Sequence, residues 1–213
     1  GIISLDLETV KDCIQTKTLK FDKNADEHYD NISAFIKSMR GSSADAATFY
    51  LARALYAGED INFLARRIVI CAAEDVGLAN PTALLVAQAA QEAVRMIGMP
   101  EARIILAEAA NYIATSPKSN ASYVAIDSAL NDIKTKNIGG IPMWLRNAPA
   151  SGMKELGYSV GYKYAHHYEN NFVDMQYLPD EIKDVIYYKP TANGYERKIK
   201  EWMKTRKQLS EDE

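Results

Sequence analysis

Few residues in this chain are of a type and spacing that could do covalent or acid–base chemistry. His166 and His167 are adjacent, so their rings leave a helix or a strand in different directions. No third ligand stands at the spacing a zinc helix uses, and both read as histidines hydrogen-bonded within a tyrosine-rich loop. Gly157-Tyr158-Ser159-Val160-Gly161 frames a serine between glycines. A nucleophile elbow also needs an apolar strand feeding that turn, and none precedes it, so hydrolase chemistry is not expected.

Cys13 and Cys71 lie in unrelated segments without a Cys-x-x-Cys or Cys/His pattern, the usage of reduced thiols rather than of a disulfide. No Gly-x-x-x-x-Gly-Lys-[Ser/Thr] loop occurs, and no glycine is followed by lysine, so the chain lacks the P-loop that cradles nucleotide phosphates. Asp180-Glu181 follows Leu178-Pro179 rather than an apolar strand and reads as a helix start, not as a Walker B pair. The expectation is a chain with no catalytic, cofactor-binding or metal-binding residues of its own.

Charge is the remaining resource. Lys plus Arg total 25 against 28 Asp plus Glu, a net charge of -3, which lacks the global basic excess of a dedicated nucleic-acid binder. Local cations still qualify for phosphate contact, because lysine and arginine displace counterions from a nucleic-acid backbone. Lys37, Arg40, Lys118, Arg146, Lys154 and Lys163 are the candidates, with neighbouring tyrosines available to stack on exposed bases. Residues 197–207 carry six basic side chains against Glu201 and read as a solvated helix face. Arg66 and Arg67 stand close in sequence to Glu74 and Asp75, and the expectation for them is ion pairing at a helix surface or a subunit contact.

The elements that would position these residues are helices. The 213 residues, 47% hydrophobic and 25% charged, suit one soluble globular domain or one with the end of another. The apolar run around 82–97 is interrupted by Gln88, Gln91, Glu92 and Arg95, so it does not read as a membrane span. In 61–72, Ile61, Leu64, Ala65, Ile68, Val69 and Ala72 fall on one helical stripe, and Asp60 is placed to cap it. The preceding helix, 44–57, carries Phe49, Ala52 and Tyr56 on a stripe and ends at Gly58, a hairpin with the next.

Helices over 82–97 and 101–114 meet at Gly98-Met99-Pro100, where glycine stops one and proline opens the other. Ten of the 33 residues from 82 to 114 are alanine, which lets these helices approach closely and suggests a central position. Tyr123, Ile126, Leu130 and Ile133 mark another helix. Upstream, 6–16 and 25–39 are amphipathic, separated by a polar connection at 19–24. After Lys136 the pattern changes: seven of the 13 tyrosines lie between Tyr158 and Tyr188, an irregular stretch expected to be held by aromatic packing. A last helix from about 194 to 209 shows Tyr195, Ile199 and Trp202 on one side.

Particular strings are more specific than these patterns. Lys37-Ser38-Met39-Arg40-Gly41-Ser42, Ala65-Arg66-Arg67 with Ala73-Glu74-Asp75-Val76-Gly77-Leu78-Ala79, Gly98-Met99-Pro100-Glu101-Ala102-Arg103 and Ser116-Pro117-Lys118-Ser119-Asn120 resemble the carboxy-terminal region of the RarA/MgsA family of AAA+ ATPases. So do Leu145-Arg146-Asn147-Ala148-Pro149, Met153-Lys154-Glu155-Leu156-Gly157-Tyr158, Tyr162-Lys163-Tyr164-Ala165-His166 and Gln176-Tyr177-Leu178-Pro179-Asp180-Glu181. These are replication-associated recombination proteins, with the Werner helicase-interacting protein as eukaryotic relative, and the resemblance runs from about 25 to 204.

The resemblance implies an all-α fold, an antiparallel helical array similar to the clamp-loader collar. It implies that 1–22 are the end of the AAA+ helical lid and 25–213 an oligomerisation domain. Within the latter, 25–136 form the helical core, 137–193 the irregular segment and 194–213 the terminal helix and acidic tail. The expected role is non-catalytic tetramerisation of an ATPase whose ATP and Mg sites precede Gly1, acting at stalled forks or gaps. Expected partners are a second copy of the chain, single-stranded or forked DNA and single-stranded DNA-binding protein, in the cytoplasm at the nucleoid and away from membranes. Phe49, Arg66, Arg67 and Glu74, on the hairpin and its continuation, are the residues assigned to the interface.

Overall fold

The computed structural model describes residues 25–211 of the chain, so the expected lid remnant at 1–22 and Cys13 lie outside the described residues. Among the described residues every regular element is helical. Two compact units are formed, each with its own packing.

The first unit, taking residues up to Val76 together with 82–116, contains five α-helices among its described residues. In α1, Ala25–Arg40, the residues Ile32, Phe35 and Met39 are buried, a spacing of three and four that puts them on one face. The chain turns through Gly41 and Ser42, and Ser43 caps α2, Ala44–Tyr56, by accepting from the Ala46 N–H. Gly58, at φ +82°, closes that helix. Asp60 then caps α3, Ile61–Cys71, by accepting from the Asn62 N–H at 2.9 Å, as its sequence position predicts. Buried Leu64, Ala65, Ile68 and Cys71 follow at helical spacing.

At Cys71 the helix widens into a π turn, Ala72–Val76, that buries Asp75 and Val76. The remaining helices are α4, Thr82–Ile97, and α5, Ala102–Thr115. Alanine dominates the buried positions of both, with Ala83 and Ala87 on α4 and Ala102, Ala109, Ala110 and Ala114 on α5. With no side chain beyond Cβ, these helices pack closely around Leu106 and Ile113, which join Phe35, Met39, Leu51, Leu64 and Ile68 in one core. The central position expected from the alanine content is what the burial shows for α5. On α4 only one face is buried, and Leu84, Leu85, Met96 and Ile97 are exposed.

The second unit comprises 77–81 and 117–213. Its helices are α6, Ala121–Thr135, the short α7, Ser151–Glu155, and α8, Glu196–Glu211. Between α6 and α8 the chain is irregular apart from α7 and 3-10 turns such as Met143–Leu145 and Asp180–Ile182, as composition predicts. Aromatic contacts are present as expected, with Tyr164 against the His166 and His167 rings at 5.2 and 5.0 Å, but they are only part of what holds it. Tyr162, Tyr164, Tyr168 and Tyr177 are exposed, and hydroxyl and ring N–H groups also tie the segment. Tyr187 donates to Asp132 at 3.0 Å, Tyr188 to Glu196 at 3.1 Å, and the Trp144 ring N–H to the Gln176 carbonyl at 2.8 Å.

Two apolar stripes read from sequence are not buried. On α6, Tyr123, Ile126, Leu130 and Ile133 are all exposed, and Ala121 and Asp132 face inward instead. At α8, Tyr195 just before its first residue and Trp202 within it are exposed, while Glu196 is completely buried. Periodicity locates a helix and its apolar face, but whether a neighbour covers that face is set by tertiary packing.

Candidate functional site

The candidate site is an apolar surface of the first unit. Capping by Ser43 and the close packing of α2 and α5 leave an open groove of about 440 Å³ lined by Thr48, Leu51, Ala52, Leu55, Tyr56, Met99, Arg103 and Ala107. Leu51 also faces the core, so the groove floor is rigid. Tyr56 and Met99, each about half exposed, rise at its rim. A second open groove, about 390 Å³, lies between α4 and α5 and is lined by Val86, Ala89, Ala90, Ala93, Ile105, Glu108 and Ala109. Small side chains leave room there for a helix of a partner to approach closely. Exposed Leu85, Met96, Ile97 and Ile104 lie on the same two helices. Contiguous apolar surface of this kind recurs at protein–protein contacts and ligand grooves.

Of the residues assigned to an interface from sequence, Phe49 is exposed on α2 and sits edge-on to Tyr50 at 5.3 Å. Arg66 and Arg67 do not pair with Glu74 and Asp75. Both guanidinium groups lie over the Phe63 ring, at 5.8 and 5.2 Å, and Arg66 reaches Asp60 at 3.8 Å. The acidic pair belongs to Arg40, whose Nε meets Asp75 at 2.5 Å and whose Nη2 meets Glu74 at 3.0 Å. The π turn accounts for the exchange: it carries Asp75 inward, where the end of α1 lies, and Cys71 adds a thiol donor to the same carboxylate at 3.2 Å. The hydrogen bond to Asp75, outweighing burial, raises the Arg40 pKa further above its ordinary value.

The six basic candidates are divided between the two units. Lys37 and Arg40 belong to the first unit, Lys118, Arg146, Lys154 and Lys163 to the second. Lys37, Lys154 and Lys163 are exposed and in no ion pair among the described residues. Arg40 is spent on Asp75 and Glu74. Arg146 donates to the Ile141 carbonyl at 2.8 Å and lies 5.7 Å from the Tyr158 ring centre. Ser159 has a positive φ of 59° inside its glycine frame. Its hydroxyl donates to the Arg146 carbonyl at 2.7 Å, so it is tied to the backbone rather than to a base. His166 lies 3.1 Å from the Asn171 side-chain oxygen.

Comparison with known proteins decides the family. The family model described as MgsA AAA+ ATPase C terminal matches residues 41–207. The chain belongs to this family. A second model, AAA C-terminal domain, matches 1–40. The junction between the two matches falls at Gly41, inside the first unit, where α1 and α2 of this MgsA-type chain share a core. Replication-associated recombination protein A of Bacillus subtilis is 49% identical over 195 residues, 91% of this chain and 46% of that protein. An uncharacterized AAA domain-containing protein of Mycobacterium tuberculosis is 50% identical over 91% of this chain and 43% of its own length. The ATPase WRNIP1 of Dictyostelium discoideum is 36% identical over 82% of this chain and 20% of its own length. The chain therefore spans less than half the length of the curated relatives it matches.

The groove residues of this MgsA C-terminal chain were only partly visible in sequence. Ala52 and Tyr56 stand on a recognised stripe, and Met99 and Arg103 inside a recognised string. No local signal distinguishes Ala107 from a core residue, because its place in the groove depends on how α2 packs against α5.

Proposed function

We propose that this chain is the non-catalytic oligomerisation region of a AAA+ ATPase acting in DNA replication, recombination and repair at stalled forks or gaps, and that it assembles as a homotetramer. ATP and Mg would be held by an ATPase domain outside these residues, and the assembled protein would work in the cytoplasm at the nucleoid. The observation carrying the reading is the pair of open apolar grooves flanking α5. A collar-like helical array that leaves apolar surface open gains stability from a second copy of itself. Residues 1–22 are assigned to the lid and 25–213 to the oligomerisation domain in this reading.

Sedimentation velocity of the 213-residue chain at tens of micromolar is the test. A tetramer is expected, and Met99→Asp or Ala107→Arg, which place charge or bulk in the groove of about 440 Å³, should shift it to smaller species. A monomeric wild-type chain would overturn the reading. Contact with single-stranded DNA through Lys37, Lys154 and Lys163 is a second reading, supported by their exposure.

A further inference from the structure

The charge run at 197–207 looks in sequence like a solvated helix face, but part of it lines a cavity. Lys200, Met203 and Lys204 stand at i, i+3 and i+4 on α8, and therefore on one face. They close an open groove of about 300 Å³ against Tyr188, Lys189 and Pro190 of the preceding segment. All three lysines are exposed, and none is in an ion pair among the described residues. Glu201, the acidic residue of the run, does not line the groove. Arg206 is committed elsewhere, 4.2 Å from both the Phe172 and Trp202 ring centres.

We infer that this groove binds single-stranded nucleic acid, with Lys189, Lys200 and Lys204 on consecutive phosphates and the Tyr188, Pro190 and Met203 floor receiving a base. The charge pattern selects the occupant: three cations in no ion pair among the described residues, around an apolar floor, complement a chain of anions whose bases are unpaired and present flat apolar faces. A duplex keeps its bases stacked inside and would leave the floor uncovered. The groove is fixed before any ligand arrives, because the Tyr188 hydroxyl donates to buried Glu196 at the first residue of α8. This inference rests on the single-strand reading but places it at residues other than Lys37, Lys154 and Lys163, and it uses none of the residues lining the two grooves beside α5.

Anisotropy of a labelled 20-nucleotide oligo-dT titrated with the 213-residue chain tests it. Three phosphate contacts on a single strand predict that affinity falls about 20-fold between 50 and 200 mM salt. Lys189→Gln/Lys200→Gln/Lys204→Gln should weaken binding at least about tenfold and lower the log–log salt slope by about 2. Met203→Ser should weaken oligo-dT while leaving the salt slope unchanged. Lys189→Gln alone, outside any helix, gives a smaller loss of the same sign if the triple variant folds poorly.

Wild-type affinity in the triple variant, no binding at 50 mM salt, equal affinity for a duplex of the same length, or displacement by an acidic peptide as effective as by unlabelled oligo-dT would each overturn the inference. Sedimentation of the same variants reads the oligomer separately. A triple variant that sediments as wild type but loses oligo-dT isolates the groove.

Discussion

Glu196 gathers four hydrogen bonds from three residues of the second unit. Its carboxylate accepts from the Ser119 hydroxyl, the Thr191 N–H and the Thr191 hydroxyl, each at 2.7 Å, and from the Tyr188 hydroxyl at 3.1 Å. Burial pushes its pKa up, but the donors from Ser119, Thr191 and Tyr188 together outweigh burial and hold it below the ordinary carboxylate value. Burial chiefly, and the Glu196 charge with it, pushes the Tyr188 phenol up to about 12. A depressed carboxylate pKa contributes stability above the unfolded-state value of about 4.3, and that contribution is lost as pH falls through the lower folded value. Acid unfolding of wild type should therefore steepen below about pH 4.3, and Glu196→Gln should flatten that limb. Glu196→Ala should cost about 2–4 kcal/mol by urea unfolding, because four donors lose their acceptor.

The same carboxylate sets where an element begins. Helix α8 is mostly polar and basic, and among its described side chains Trp202 and Met203 are exposed, so among these no hydrophobic stripe is buried to anchor it. Its start is fixed by Glu196 and by the preceding turn, where the Tyr195 N–H donates to the Ala79 carbonyl at 2.8 Å. Gly194 makes this approach possible. Its φ is +52°, and a Cβ would overlap the Ala79 carbonyl oxygen and crowd Pro117. Gly194→Ala should destabilise the chain by about 2 kcal/mol or more through strain and steric conflict. Circular dichroism and urea midpoints check this, and a stability equal to wild type would show that the turn relaxes without cost.

At the scale of the molecule, exposed apolar surface should be felt as concentration dependence. If copies associate through the grooves beside α5, the folded chain gains stability by mass action. The thermal midpoint should then rise as chain concentration goes from about 1 to about 100 µM, and Met99→Asp should remove most of the rise while leaving the dilute midpoint near wild type. A midpoint independent of concentration would count against association.

Sequence by itself determined the helices and their ends: Asp60 as a cap, Gly58 and Gly98 as stops, the alanine-rich packing of α5 and the irregular course between α6 and α8. These follow from local chemistry, meaning capping oxygens, positive-φ turns and a 3.6-residue period, which act over a few residues. The family resemblance was equally local, carried by short strings. Tertiary structure decided which stripes are covered and which charges are spent. Arg40 rather than Arg66 or Arg67 takes Asp75, the α6 stripe stays exposed, buried Glu196 anchors a basic helix, and three lysines of a charge run share a groove with Tyr188. Each depends on groups brought together from separate elements, where burial and pairing, not spacing along the chain, set the energy.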